Sequence, residues 1–352
     1  MFESDCGLVV RRRRCNVESA IMKSAVSGLP PQKLRDFRRI LMAWYDESRR
    51  DLPWRETRDP YRIWVSEIML QQTRVAAVAG YYRRFLDRFP NLVALANAKE
   101  ADVLAAWSGL GYYRRARAML AAAKIVVNEF SGKLPETSEG LKKLPGVGRY
   151  TAAAIGSIAF GQPDAVVDGN VARVLSRILG SELRDRNEAW PHAERLLDRK
   201  RPGDWNQAVM ELGATVCLSA QPKCLACPVQ RLCKQPGREI RKAQVPRRRR
   251  ALLFGLANRR GSVYLLRRSE RDALMPGMWE LPSVAEKNGY SVLHRLKHSI
   301  TNSDYQVSVL ALPAELASGG RWVKCDRIPT LPVTGLTRKI LRAANLWPRD
   351  GI

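Results

Sequence analysis

Four cysteines in one short stretch, Cys217, Cys224, Cys227 and Cys233, constrain this chain more than any other feature. Their C-x6-C-x2-C-x5-C spacing closes a compact thiolate cage that suits a metal centre. Structural zinc sites commonly use two short C-x2-4-C pairs, whereas one long first loop with a single central C-x2-C favours an iron–sulfur cluster. Upstream lie a glycine hairpin, LPGVG at Leu144 to Gly148, and an acidic turn, VDGN at Val167 to Asn170. The three motifs together point to chemistry on a DNA base.

Composition narrows the partners. A chain of 352 residues with 45% hydrophobic content is long enough for two ordinary cores, and no apolar run approaches the length of a membrane span. A formal charge of +26 predicts a polyanionic partner, because cations on phosphates release counterions without reading sequence. Cys6, Cys15 and Cys325 are too scattered for a disulfide framework, and a thiolate cluster needs a reducing compartment, so a cytoplasmic, nucleoid-associated protein is expected. Residues 1–30 carry Arg11 to Arg14 without the apolar stretch of a secretory signal and are expected to form a disordered basic arm.

Periodicity divides the remainder. From Pro31 to about 235, apolar residues recur at helical spacing, as in Phe37, Ile40, Leu41 and Trp44, and again in Leu104, Trp107 and Leu110. Residues 236–247 are charged and irregular and read as a basic linker, with the arginines through Arg250 continuing its character. Residues 248–345 then predict an α+β domain, with strands at Leu252 to Leu256, Val263 to Leu266, Tyr305 to Leu312 and Trp322 to Val323, and a helix at Leu336 to Ala344.

Each motif has a physical reading. Gly146, Val147 and Gly148 turn the chain tightly between two helices, and amides at the start of the second helix can hold a DNA phosphate without reading the base. Asp168 and Asn170 precede the helical pattern Val171, Val174, Leu175 and Ile178, where either can serve as a cap. The sharper reading places Asp168 beside a flipped-out nucleotide, stabilising the positive sugar that forms as a base leaves. Glu67 has Trp64, Ile63 and Leu70 at helical spacing, so its carboxyl group is expected on an apolar face. Desolvation there favours the protonated form that a general acid needs, as in two-carboxylate glycoside cleavage.

The ordered series DLPWR (51–55), WVSEIMLQQT (64–73), GLGYYRRAR (109–117), LPGVGRYTA (144–152), VDGNVARVLSR (167–177) and the four cysteines resembles the MutY-type adenine DNA glycosylases over roughly residues 33–235. The resemblance implies a helix-hairpin-helix fold of the endonuclease III superfamily, with a 4Fe-4S cluster on the four cysteines. It also implies removal of adenine mispaired with 8-oxoguanine or guanine in double-stranded DNA, and a monomer is expected. Glu67 would protonate the adenine ring and Asp168 would stabilise or capture the sugar cation. Tyr150 stands where the endonuclease III pattern has a lysine; a phenol cannot form an imine, so a monofunctional enzyme is expected.

By the same resemblance Leu70, Gln72 and Thr73 would enter the duplex and Tyr112 would wedge beside the oxidised guanine. Arg50, Trp54 and Arg55 would line the adenine pocket, Gln207 would read the adenine edge, and Lys223 and Arg231 would touch phosphates. MPGMWELP at 275–282 resembles the family's Nudix-like module, here without a glutamate-rich magnesium-binding array. Where the family has Phe-Ser-His after a histidine, this chain has Ile300, Thr301 and Asn302 after His298. A bifunctional pyrimidine glycosylase and a non-catalytic iron–sulfur DNA-binding protein are the competing readings; the first is disfavoured by Tyr150, the second by the presence of both Glu67 and Asp168.

Overall fold

The computed structural model describes residues 29–183, 186–239, 246–286, 289–300 and 303–348. Residues 1–28 of the basic arm, Thr301, Asn302 and residues 240–245 of the linker lie outside the described residues. The chain forms helices up to Thr215 and an α+β region from Arg248 onward. By proximity, the described residues fall into two compact units: 29–60, Glu136–Lys142 and 147–239 in the first, and 61–135, Lys143–Gly146 and 246–348 in the second. Among the described residues no helix is long and apolar enough to cross a membrane.

The first unit holds α1 (Pro31–Ser48). Its periodic Phe37, Leu41, Met42 and Tyr45 are buried, and Phe37 meets Trp205 edge to face at 5.4 Å.

In the second unit α2 (Pro60–Leu70) is buried almost all round and carries Glu67. It is followed by α3 (Val75–Arg88), α4 (Leu92–Ala96), α5 (Glu100–Ala106) and α6 (Arg114–Glu129). The chain then returns to the first unit with α7 (Ser138–Leu141), α8 (Arg149–Phe160), α9 (Gly169–Leu179), α10 (Arg186–Leu196) and α11 (Pro202–Thr215). Helix α11, which carries Trp205, packs against α1, α8 and α9. Gly203 is required on α11: a Cβ there would sit 2.6 Å from the Ser157 carbonyl of α8.

The α+β part of the second unit has two sheets. Strand β1 (Arg248–Leu256) is followed by β2 (Asn258–Arg259), β3 (Ser262–Arg267), β4 (Trp279–Glu280), β5 (Val292–Ile300), β6 (Ser303–Ala311) and β7 (Arg321–Lys324). One sheet runs β1-β6-β5, with β1 parallel and β5 antiparallel to β6; the other runs β2-β3-β4 with β7 on β3. Register puts Leu252, Val307 and Leu296 side by side, and α12 (Gly335–Ala343) adds Ile340 and Leu341 to the same core.

Two sequence expectations are corrected. Strand β1 begins at Arg248 rather than at Leu252, because parallel pairing with Ser303 to Tyr305 supplies the hydrogen bonds that a charged run hides from pattern reading. Val292–Ile300 is a strand that the sequence reading passed over, since Arg295, Lys297 and two histidines interrupt its alternation. Ile300 accordingly ends a paired strand, opposite Ser303, rather than lying in a loop.

Candidate functional site

In the first unit, Asp168 is the N-cap of α9. Its Oδ1 accepts from the amides of Asn170 (2.8 Å) and Val171 (2.7 Å), and its Oδ2 accepts from Asn170 Nδ2 at 3.0 Å. Of the two cap candidates Asp168 takes the role and Asn170 holds it in place. Asn170 is fixed in turn by Arg173, whose Nη2 donates to its Oδ1 (2.8 Å) and to the Gly213 carbonyl (2.7 Å), while Nε donates to the Cys217 carbonyl at 2.8 Å. A carboxylate with both oxygens engaged and a guanidinium behind its clamp has one orientation only. Gly213 permits this approach: a Cβ there would lie 2.6 Å from that of Asn170.

A second anion lies in the same unit and escaped the sequence reading. Glu211 of α11 is 1% exposed and is gripped by Arg50, Nε to Oε1 at 2.7 Å and Nη2 to Oε2 at 2.8 Å, and by Arg55 Nη2 at 2.8 Å. Burial alone would raise its carboxyl group, but the hydrogen bonds and charges of Arg50 and Arg55 outweigh it and hold the group at about 2. Arg50 and Arg55 thus meet on one carboxylate. Trp54, Arg55 and Gln207 line a common cavity of about 460 Å³ with Ser157 and Ile158. The only sequence signal for Glu211 was its place one helical turn beyond Gln207.

Tyr150, on the first turn of α8, donates its hydroxyl to the Met210 sulfur at 3.2 Å, a weak acceptor, so part of its role is packing onto α11. Gly148 caps that helix with no side chain, and a Cβ there would meet open space. Gly148 and Gly146 are exposed, whereas the Val147 side chain is buried and anchors the hairpin. The Val147 side chain is therefore not available to a ligand.

The four cysteines line one hollow together with Val174, Leu212, Val216 and Arg177. Arg177, 1% exposed, donates to Cys217 Sγ (3.1 Å) and to the carbonyls of Leu218 and Arg238 (2.7 Å each), and the Gly237 amide donates to Cys224 Sγ at 3.1 Å. Such donors suit sulfurs that are thiolates. Burial, and after it the neighbouring cysteines, push the Cys227 thiol up to about 11, so four thiolates at this place need a cation between them. Among the described residues no three His, Cys, Asp or Glu side chains converge on a point fit for a single ion. Lys223 and Arg231 are exposed on the same loop.

In the second unit, Glu67 is 5% exposed on α2 amid Ile63, Trp64, Ile68 and Met69, all buried. Leu70, Gln72, Thr73 and Tyr112 are brought together by a residue the sequence reading did not single out. Arg115 is buried and donates to the carbonyls of Ile68 (2.8 Å), Met69 (2.9 Å), Gln71 (2.5 Å) and Gly111 (3.2 Å), and to Thr73 Oγ1 at 3.1 Å. Burial lowers its guanidinium to about 10. Gln72 (φ 57°) and Tyr112 (φ 49°) occupy the left-handed region that side chains seldom adopt. Ile300, at the end of β5, belongs to neither of these clusters.

Comparison with known proteins fits this arrangement. Residues 65–198 match the HhH-GPD superfamily base excision DNA repair protein model. The adenine DNA glycosylase of Mus musculus is 36% identical, over 94% of this chain and 86% of its own length. The chain belongs to the adenine DNA glycosylase family. The Rattus norvegicus adenine DNA glycosylase is 46% identical over 64% of this chain and 50% of its own length, so the match spans half of that relative. Among solved structures, a thermostable thymine-DNA glycosylase is 32% identical, with a TM-score of 0.55 over 58% of this chain and 96% of that one. The helical part therefore has the helix-hairpin-helix fold, followed by an α+β region.

Proposed function

We propose that this member of the adenine DNA glycosylase family hydrolyses the N-glycosidic bond of adenine mispaired with 8-oxoguanine or guanine in double-stranded DNA. Glu67 donates a proton to a ring nitrogen of the flipped-out adenine, the C–N bond breaks with its electron pair leaving on the base, and Asp168 stabilises the oxocarbenium sugar. Water adds to that carbon and loses a proton, leaving an abasic site. The observation that carries this reading is the clamped carboxylate of Asp168, held by two amides and Asn170. In this reading Arg50 and Arg55, held by Glu211, supply polar contacts to the base edge, with Trp54 and Gln207 on the cavity that Arg55 also lines. Tyr150 lacks the amine that attacks sugar in bifunctional enzymes, which makes the enzyme monofunctional.

Cys217, Cys224, Cys227 and Cys233 hold a 4Fe-4S cluster in this reading; when bound it ties the loop carrying Lys223 and Arg231 into a fixed basic surface. A reducing compartment follows from that assignment. Residues 31–235 form the catalytic region, and residues 248–345 act as a Nudix-like module on the lesion side, with Ile300, Thr301 and Asn302 as its candidate contacts to the lesion.

The test is single-turnover base release from duplexes carrying adenine opposite 8-oxoguanine, guanine or thymine, and thymine opposite guanine, with and without alkali. Alkali-dependent cleavage at the first two is expected. Asp168→Asn should abolish release while changing duplex affinity less than about tenfold. Undiminished release by that variant would remove the mechanism, and thymine release would favour a pyrimidine glycosylase.

A further inference from the structure

We propose that Arg338 is a positioning residue, through which the C-terminal α+β region sets the turn at 108–113 and hence the insertion of Tyr112 into a DNA base step. The proposal rests on the adenine glycosylase reading above. The turn joins α5 to α6 through three left-handed residues: Gly109 (φ 101°) and Gly111 (φ 73°) adopt this backbone freely, whereas Tyr112 (φ 49°) carries a side chain there and is strained. Conformations of this kind persist only where surrounding structure over-determines them. Tyr112 points outward, 39% exposed, while Ser108 and Tyr113 on either side are buried. An aromatic side chain presented on such a turn has the form of a wedge that enters between bases.

The middle of the turn is held locally, by Trp107 Nε1 and Arg115 Nη2 on the Gly111 carbonyl (3.2 Å each), and its two ends are held from far along the chain. Ser108 Oγ (2.9 Å) and the Tyr113 hydroxyl (3.2 Å) both donate to the carbonyl of Val333, a fully buried residue. Arg338 Nη1 donates to the Tyr81 hydroxyl at 2.8 Å and to the Ser108 carbonyl. The Arg338 guanidinium lies 4.9 Å from the Trp347 ring centroid and 5.8 Å from that of Tyr81. A Cβ on Gly109 would collide first with the Tyr81 hydroxyl and then fall 2.7 Å from Arg338 Nη1, so only a glycine leaves room for this pair. Beyond the turn, Arg117 of α6 donates to the Pro276 carbonyl at 2.6 Å.

These grip points form one block. The Trp279 amide donates to the Pro332 carbonyl (2.8 Å) and the Thr334 amide to the Trp279 carbonyl (2.9 Å), which ties the segment of Pro276 to that of Val333 at the entrance to α12. The block takes hold of both ends of the turn, while the exposed Tyr112 ring between them rests against the Arg115 guanidinium, 5.5 Å from its centroid. Without Arg338 the Ser108 carbonyl and the Tyr81 hydroxyl lose their shared donor, and the turn is free to leave the left-handed conformation that presents Tyr112.

A double-mutant cycle on the full chain decides the matter. Arg338→Met, Tyr112→Ala and the double variant are compared for single-turnover adenine release and for affinity, by fluorescence anisotropy, on a duplex with adenine opposite 8-oxoguanine. Each single variant should lose about tenfold, and the double variant should be no worse than Tyr112→Ala, because contacts that act through one another are not additive. Arg338→Lys should recover part of the loss. Losses that multiply in the double variant, or an Arg338→Met protein equal to wild type, would overturn the proposal. If Arg338→Met shows no cooperative thermal transition, Ser108→Ala, which removes one hydroxyl, takes its place in the cycle. If the wild type binds the duplex and releases no adenine, the glycosylase reading falls, and the affinity cycle still decides the role of Arg338.

Discussion

Arg177 beside the cysteines and Arg115 beneath the Leu70 to Thr73 turn are both buried guanidiniums that gather loops by their carbonyls, yet their partners differ in kind. Arg177 has a sulfur among its acceptors, Cys217 Sγ at 3.1 Å. Among the described residues Arg115 meets no carboxylate: its acceptors are carbonyls and one hydroxyl, with Trp107 and Tyr112 ring centroids 5.4 and 5.5 Å from its guanidinium carbon. Without a counter-charge its desolvation goes uncompensated, which is why burial lowers it to about 10. On the reading proposed above the first arginine serves a cluster whose ligands become anionic; the second fixes the shape of two exposed turns. The contrast separates metal retention from the presentation of the turns.

Substituting each arginine by methionine should therefore break different properties. Arg177→Met leaves buried carbonyls and a ligand sulfur without their donor and is expected to cost about 3–5 kcal/mol, with loss of iron from the purified protein. Arg115→Met strands the carbonyls of Ile68, Met69 and Gln71 and should cost about 2–4 kcal/mol, with iron content unchanged and duplex affinity lowered. Urea unfolding, iron per chain and anisotropy on one set of preparations read all three. Iron loss in both variants, or in neither, would dissolve the distinction.

The contrast was only half legible in the sequence. The cysteine spacing and the VDGN turn are local, so their chemistry could be read without knowing the fold, and Glu67 followed from neighbours three and four residues away. Arg115 sits in GLGYYRRAR, where adjacent arginines look like a solvated face; only the return of α2 beside α6 makes one of them a core cation. Glu211 finds Arg50 across 161 positions, a separation that no periodicity reveals. Strand β5 was hidden because its charged residues are tolerated on an exposed sheet edge.

Glu211 sharpens the comparison, since its two arginines do have a counter-charge. Its carboxyl group is held at about 2, below the ordinary value of 4.5, so the folded state binds this proton more weakly than the unfolded chain. The stability it contributes, of order 3 kcal/mol, is present in full above pH about 4.5 and is lost as pH falls toward 2. Glu211→Gln should lower the urea midpoint at neutral pH, and the gap to wild type should close on acidification through that window. A gap independent of pH would mean that packing, not charge, accounts for the residue.

Gly146→Ala probes α6 from its other neighbour, with a smaller effect. At φ 79° an alanine is strained, and its Cβ would lie 2.8 Å from that of Ala118, one turn along the helix that carries Arg115. The Ala118 methyl cannot rotate away, so hairpin or helix must shift by several tenths of an ångström, costing about 1–2 kcal/mol. Because α6 is held by Arg115 on one side and by Arg117 on Pro276 on the other, the hairpin should yield first. Duplex affinity should then fall by a few-fold while the Arg338–Tyr112 cycle retains its coupling. If that coupling disappears in the Gly146→Ala background, the shift has passed into α6, and the rigidity assigned to Arg115 is absent.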